Sequence, residues 1–151
     1  MRQFRQSLPM MMHAALDAVM PRFRLIYKDF GLTEQQWRVL RVLWEHEQIG
    51  FTEMSEITLI SAPSLIGVID RIIAMGLVTK QRSQSDRRAV RISLTADGHK
   101  LQSQVMPRVE ATYAQLEESI EPELWRQLLA GLEAVAALPP IETNSTQVKS
   151  A

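Results

Sequence analysis

Five cationic side chains, Lys80, Arg82, Arg87, Arg88 and Arg91, fall within twelve residues and are opposed there only by Asp86. The chain as a whole has a formal net charge of zero, so a local charge of +4 is positive charge gathered at one place. Groups of this kind bind phosphate, arginine through a planar fork and lysine as a compact point charge. Apolar, alternating residues flank them, Leu77-Val78 on one side and Val90-Arg91-Ile92-Ser93-Leu94 on the other. That pattern predicts a β-hairpin with a polar loop from Lys80 to Arg88. A thin ribbon can press long cationic side chains against a nucleic-acid groove, where phosphates crowd from both sides. A loop whose charges merely keep it soluble fits the same residues, but the segment before it weighs against that.

A second set of residues suits a small anion. Trp37, Arg38 and Arg41 lie on a helix that starts near Thr33, with Trp44 on the same side as Trp37. At 100° per residue Arg41 stands about 40° around the wheel from Trp37. A guanidinium beside an aromatic face offers a fork for a carboxylate and a plane for a ring, as a small aromatic acid requires. Arg22, Phe23 and Arg24 on the preceding helix are placed to close the same cleft. The competing reading makes the tryptophans core or dimer residues and pairs the arginines with Glu34 or Glu45; the residues alone leave both open.

Both sets need elements to hold them. From Phe51 to Gly76 the sequence reads as two short helices with a tight connection, the first capped by Thr52 and the second opened by Ser61 with Pro63 in its first turn. Leu65, Ile69, Ile72 and Ile73 recur at helical spacing and face inward, which leaves Ser61, Ser64, Gly67, Val68 and Arg71 outward. A small, polar face ending in one arginine can approach base edges in a major groove. Gly76 supplies the left-handed stop. Helix, turn, helix, basic hairpin is the order of a winged helix-turn-helix, with the second helix in the major groove and the hairpin along the backbone or in the minor groove.

At this point the chain resembles a known family. Gly31-Leu-Thr-Glu-Gln-Gln-Trp-Arg-Val-Leu40, then Pro63-Ser-Leu65 with Gly76-Leu-Val78, then Ser85-Asp-Arg-Arg88 followed by Ile92-Ser-Leu-Thr95 and Gly98 are similar to the MarR family of transcriptional regulators. Leu32 to Arg38 together with Phe23-Arg24 are similar, within it, to repressors of homoprotocatechuate and 4-hydroxyphenylacetate degradation operons, the HpaR type. The resemblance implies a mainly α (α+β) winged helix-turn-helix whose N- and C-terminal helices dimerise. It also implies a homodimer on a palindromic double-stranded operator, and a cleft between the dimerisation helices and the DNA-binding lobe that takes phenols or aromatic acids. A ligand there releases the repressor by favouring a lobe spacing that no longer matches the half-sites.

The organisation follows. Residues 1–138 are read as one winged-helix domain, with a DNA-binding lobe over about 33–95 and dimerisation helices over 8–30 and 96–138; residues 139–151 lack apolar periodicity and are read as a disordered tail. Pro21 and Pro107 are expected to bend the terminal helices, Thr95 to cap the helix after the hairpin, and Glu121-Pro122 to start the last one. Those helices carry more apolar surface than one small domain covers, which points to a second copy. The absence of cysteine excludes thiol sensing. His13, His46 and His99 fall on separate elements and form neither a catalytic pair nor a metal cluster, so no enzyme activity, cofactor or metal is expected. Neither a signal peptide nor a membrane-spanning run is visible, and the cytoplasm is the expected location. Two rival readings remain: a DNA-binding regulator without a small-molecule ligand, and a winged-helix module whose basic hairpin meets an acidic protein.

Overall fold

The computed structural model describes residues 3–46, 48–82 and 90–139. The chain forms two compact units, Met1–Thr112 and Tyr113–Ala151. The first contains a 3-10 turn (Phe4–Gln6), α1 (Leu8–Asp29), α2 (Glu34–Glu45), β1 (Gln48–Gly50), α3 (Phe51–Thr58), α4 (Ala62–Ala74), β2 (Val78–Arg82), β3 (Val90–Leu94) and most of α5 (Ala96–Glu118). The second contains the end of α5 and α6 (Pro122–Ala136).

Local chemistry sets the helix ends. Thr33 and Gln36 form a reciprocal capping box: the Thr33 hydroxyl accepts from the Gln36 amide at 3.3 Å, and Gln36 Oε1 accepts from the Thr33 amide at 2.8 Å. Gly31 and Gly76 end α1 and α4 at φ +70° and +74°, conformations that a side chain would disfavour. Thr95 Oγ1 accepts from the Gly98 amide at the start of α5, and the Glu121 carboxylate accepts from the Leu124 amide at the start of α6. Pro21 and Pro107 sit within helices that continue through them.

Two boundaries differ from the sequence reading. Gly50, not Thr52, is the N-cap of α3. The preceding residues are held extended in a three-stranded antiparallel sheet, order β1-β3-β2, with Ile49 opposite Ile92 and Gly50 opposite Arg91, so the helix begins as soon as the strand ends. The hairpin strand β2 reaches Arg82, which places Lys80 and Gln81 in the ladder rather than in the loop.

The core of the first unit gathers Val39, Leu40 and Leu43 of α2, Ile49, Met54, Leu65, Ile69 and Ile72, Ile92, and Val105 and Val109 of α5. Val68, expected to face outward, is 2% exposed. The buried stripe of α4 is Leu65, Val68, Ile69 and Ile72, the i, i+3, i+4, i+7 pattern, while Ile73 is half-buried at its edge. Leu59 closes α3 at φ +55° with 85% of its surface exposed, an uncommon conformation for a leucine. The chain turns through 103° between α3 and α4, within the range of helix-turn-helix pairs.

Candidate nucleic-acid interface and ligand groove

The exposed face of α4 begins with Ser61, Pro63 and Ser64. Proline is compatible with the first turn because an amide there has no intrahelical acceptor to lose. The Ser61 hydroxyl makes no capping bond; it donates to Ser64 Oγ at 3.0 Å. One turn on, Gly67 is half-buried, and Arg71 Nη2 lies 3.8 Å from where a Cβ on Gly67 would stand. The guanidinium is thus folded along the exposed face, over the one helical position without a side chain.

Opposite α4, Lys80 on β2 makes an ion pair with Asp70 of α4, Nζ to Oδ1 2.5 Å. Arg91, across the ladder from Gln81, is exposed. A groove of about 700 Å³ between the hairpin base and the start of α3 is lined by Lys80, Arg91, Ile66 and residues 50–53. Among the described residues, Arg71 and Arg91 have no carboxylate partner. Arg82 ends β2. Asp86, Arg87 and Arg88 lie outside the described residues.

The second set assembles around Glu34, in the first turn of α2. Its Oε1 accepts from Arg38 Nη2 at 2.7 Å, and its Oε2 accepts from Arg24 at 3.3 and 3.4 Å and from the Tyr27 hydroxyl at 3.5 Å. Partial burial pushes the Glu34 carboxyl up, but hydrogen bonds from Arg38 and Arg24 outweigh it and hold the group below its ordinary value. Tyr27 is pushed up, first by burial and then by the Glu34 charge, so its phenol keeps its proton. The bond to Glu34 raises Arg24 further.

Tyr27, Trp37 and Trp44 make an aromatic ladder with ring centroids 5.7 and 5.6 Å apart, the second pair edge to face. Beside it a groove of about 370 Å³ is lined by Trp37, Arg38, Arg41 and Val42 of α2 and by Ile57, Thr58 and Leu59 at the end of α3. Arg41, with 29% of its side chain exposed, donates from Nη2 to Glu45 Oε1 at 3.1 Å and from Nη1 to Met106 Sδ at 3.0 Å. Arg38 Nη1 also reaches the Thr58 carbonyl at 3.5 Å, which ties α2 to the α3–α4 turn.

Of the residues named for this cleft from the sequence, Trp37, Arg38 and Arg41 line one groove. Arg24 reaches the cluster through Glu34. Phe23 is buried at 7% exposure and Arg22 is exposed on α1; neither lines that groove. Tyr27 and Met106 went unnoticed in the sequence. Tyr27 lies one helical turn beyond Phe23, a spacing that could have revealed it; Met106 comes from a distant helix and had no such signal.

The hairpin root is joined to α2 and α5. Thr95 donates from its amide to Leu77 O at 3.0 Å and from its hydroxyl to Gly76 O at 2.7 Å. Trp44 Nε1 donates to Gly98 O at 3.3 Å, and Gln102 Nε2 donates to Trp44 O at 3.4 Å. A Cβ on Gly98 would stand 2.3 Å from Leu77 O, so only glycine allows α5 to lie this close to the root of β2. Among the described residues no group of three or more His, Cys, Asp or Glu side chains comes together to hold a metal.

Residues 32–90, spanning α2 to the start of β3, match the model of the MarR family. Over 132 residues the chain is 36% identical to the homoprotocatechuate degradative operon repressor of Escherichia coli, an alignment covering 87% of this chain and 89% of that one. The chain belongs to the MarR family. A second relative, the HTH-type transcriptional regulator FarR of Neisseria gonorrhoeae, is 34% identical over 124 residues, 80% of this chain and 85% of its own. The crystal structure of NadR in complex with 4-hydroxyphenylacetate superposes with a TM-score of 0.79 at 30% identity, covering 92% of this chain and 99% of NadR. As a MarR-family protein the chain is a transcriptional regulator rather than an enzyme; α3 and α4 are its helix-turn-helix and β2–β3 its wing.

Proposed function

We propose that this regulator is a homodimeric repressor of genes for aromatic-compound degradation. It is held in the cytoplasm on a palindromic operator and released by a small phenolic or aromatic carboxylic acid. The observation that carries the ligand part is Arg41: a half-buried guanidinium at a groove whose wall is Trp37 and whose far side is the α3–α4 turn. An aromatic acid there would pair its carboxylate with Arg41 and lay its ring on the indole. Met106 sulfur is a weak acceptor, and one Arg41 N–H is therefore released at small cost. Because the turn belongs to the helix-turn-helix, occupancy of the groove bears directly on α4. A release of this kind needs a coupling free energy of about 1–3 kcal/mol. The names of two relatives, a homoprotocatechuate operon repressor and a NadR complex with 4-hydroxyphenylacetate, support the choice of 4-hydroxyphenylacetate and 3,4-dihydroxyphenylacetate as first candidates.

Apolar surface supports the dimer. On α1, Leu8, Met11, Met12 and Leu16 are exposed, and on α6, Leu124, Leu128, Leu129 and Leu132 are exposed. Faces of this kind on terminal helices suit an isologous contact between two copies. Among the described residues no single helix is long and apolar enough to cross a membrane.

The test is Arg41→Ala. DNA affinity should stay within about twofold, while release by 4-hydroxyphenylacetate shifts to roughly tenfold higher concentration or beyond, the loss of one charged hydrogen bond. The corresponding amide should act weakly, and alike, on both proteins. An unchanged response to the acid would move the anchor to Arg22, Arg24 or Arg38, and an unchanged response in all four variants would end the charged-groove reading. A wild type indifferent to phenolic acids would instead favour a regulator without a small-molecule ligand, the reading in which Glu34 and Glu45 are the arginines' permanent partners.

A further inference from the structure

The recognition helix carries a carboxylate where a DNA-facing surface should avoid one. Over Ala62–Ala74 the only charged residues are Asp70 and Arg71, so α4 is formally neutral. Asp70 is 57% exposed at the side chain, next to Gly67 by helical spacing, and its Oδ1 holds Lys80 Nζ at 2.5 Å. The cation it holds is one of the five that mark the hairpin as basic. Lys80, not Asp70, lines the groove at the hairpin base, together with Arg91 and Glu53.

An exposed carboxylate on such a face repels phosphate, and a lysine bound to it releases few counterions when DNA arrives. An exposed ion pair is also weak, because water and salt screen it, so a phosphate brought close enough can take the lysine over. We propose, on the reading of α4 and the hairpin as the DNA-facing surface, that Asp70 is a specificity-determining residue that withholds Lys80 from the backbone of loosely bound DNA. Close docking of α4 brings a phosphate near enough to exchange for Asp70. Lys80 then counts toward binding on the operator and not on other sequences, which widens the gap between the two without any base contact by either residue. The pair spans only ten residues, yet it joins a helix to a strand, and it is independent of the aromatic groove.

The experiment measures salt dependence on two probes: a duplex enriched by the wild-type protein from a random-sequence library, and a scrambled duplex of the same composition. The wild-type difference between the probes reports the DNA reading itself, and the variants report the role of Asp70. Asp70→Asn keeps the shape and removes the charge. On the scrambled duplex it should tighten binding about three- to tenfold near 0.1 M salt and steepen the plot of log affinity against log salt by about one. On the enriched duplex the slope should be unchanged and the affinity within about threefold. Lys80→Gln should flatten the slope by about one on the enriched duplex and leave the slope on the scrambled one unchanged, while the bared Asp70 weakens binding to both. The double variant Asp70→Asn with Lys80→Gln should return the scrambled duplex to wild-type behaviour. Melting temperatures and dimer size by light scattering confirm that each variant is folded. Weaker binding of both single variants to the enriched duplex with unchanged slopes would make the pair a brace for the hairpin and overturn the proposal, as would identical slopes for all proteins on both probes.

Discussion

Helices α2 and α4 have nearly equal length, 12 and 13 residues, and opposite ways of treating their polar groups. α2 satisfies its own: a reciprocal box closes its first turn, and Arg38 and Arg41 each meet a glutamate four residues away along the helix. α4 closes only one of its charges, Asp70, and does so off the helix on Lys80; the rest it leaves open. Its N-cap hydroxyl turns to a neighbouring serine instead of the first-turn amides, and Arg71 has no carboxylate partner among the described residues. A helix that has settled its charges internally is a beam for others to rest on. A helix that has not is prepared to settle them on something outside the chain, and a polyanion is the partner its small, polar face can accept.

Removing an open charge should cost more in DNA binding than removing a settled one. Arg71→Ala should weaken binding to the enriched duplex about tenfold near physiological salt and flatten the salt slope by about one, whereas Arg38→Ala should leave the slope alone. Equal slopes in both variants would erase the distinction between the helices.

The caps offer a second comparison, smaller in size. Thr33→Ala breaks the box of α2 and should lower unfolding free energy by about 1 kcal/mol in urea titrations, while Ser61→Ala should lower it by no more than a few tenths. A large stability loss at Ser61 would mean that its hydroxyl caps α4 after all.

The smallest effect concerns the glutamate that settles α2. The Glu34 carboxyl is held below its ordinary value, so the pairing stabilises the fold above the unfolded-chain value of about 4.3 and is lost as pH falls through the lower folded value. With partners about half exposed, the contribution should be a few tenths of a kcal/mol. Glu34→Gln should therefore be slightly less stable than wild type at pH 7 and indistinguishable from it near pH 3, as read from denaturant midpoints. A gap that persists in acid would assign the effect to packing.

Much of this was legible because it is local. Gly31, Gly76, Thr95 and Glu121-Pro122 act on the backbone within a few residues, and each stands where the sequence places it. The aromatic and cationic face of α2 follows from 100° steps alone. Features that depend on distant partners were not visible. β1 is three residues long with no alternation of its own and exists because β3 pairs with it. Val68 turned inward because the core beneath α4 is wide enough for a four-residue stripe. Lys80 was counted among the free cations, and only the fold shows Asp70 beside it. Leu59 at φ +55° breaks the rule that would place glycine or asparagine there.

The close approach at Gly98 has a mechanical consequence. With Leu77 pressed against it, Trp44 bonded to its carbonyl and Thr95 bonded to both sides of the joint, α5 and the hairpin share one root. The five residues of β2 then act as a lever arm about 16 Å long at roughly 3.3 Å per residue. A rotation of about 6° at the root carries the far end through about 1.7 Å, several times the half-ångström window within which an N–H···O bond forms. A small rotation at the root therefore exceeds, at the far end of the arm, the range over which a hydrogen bond holds.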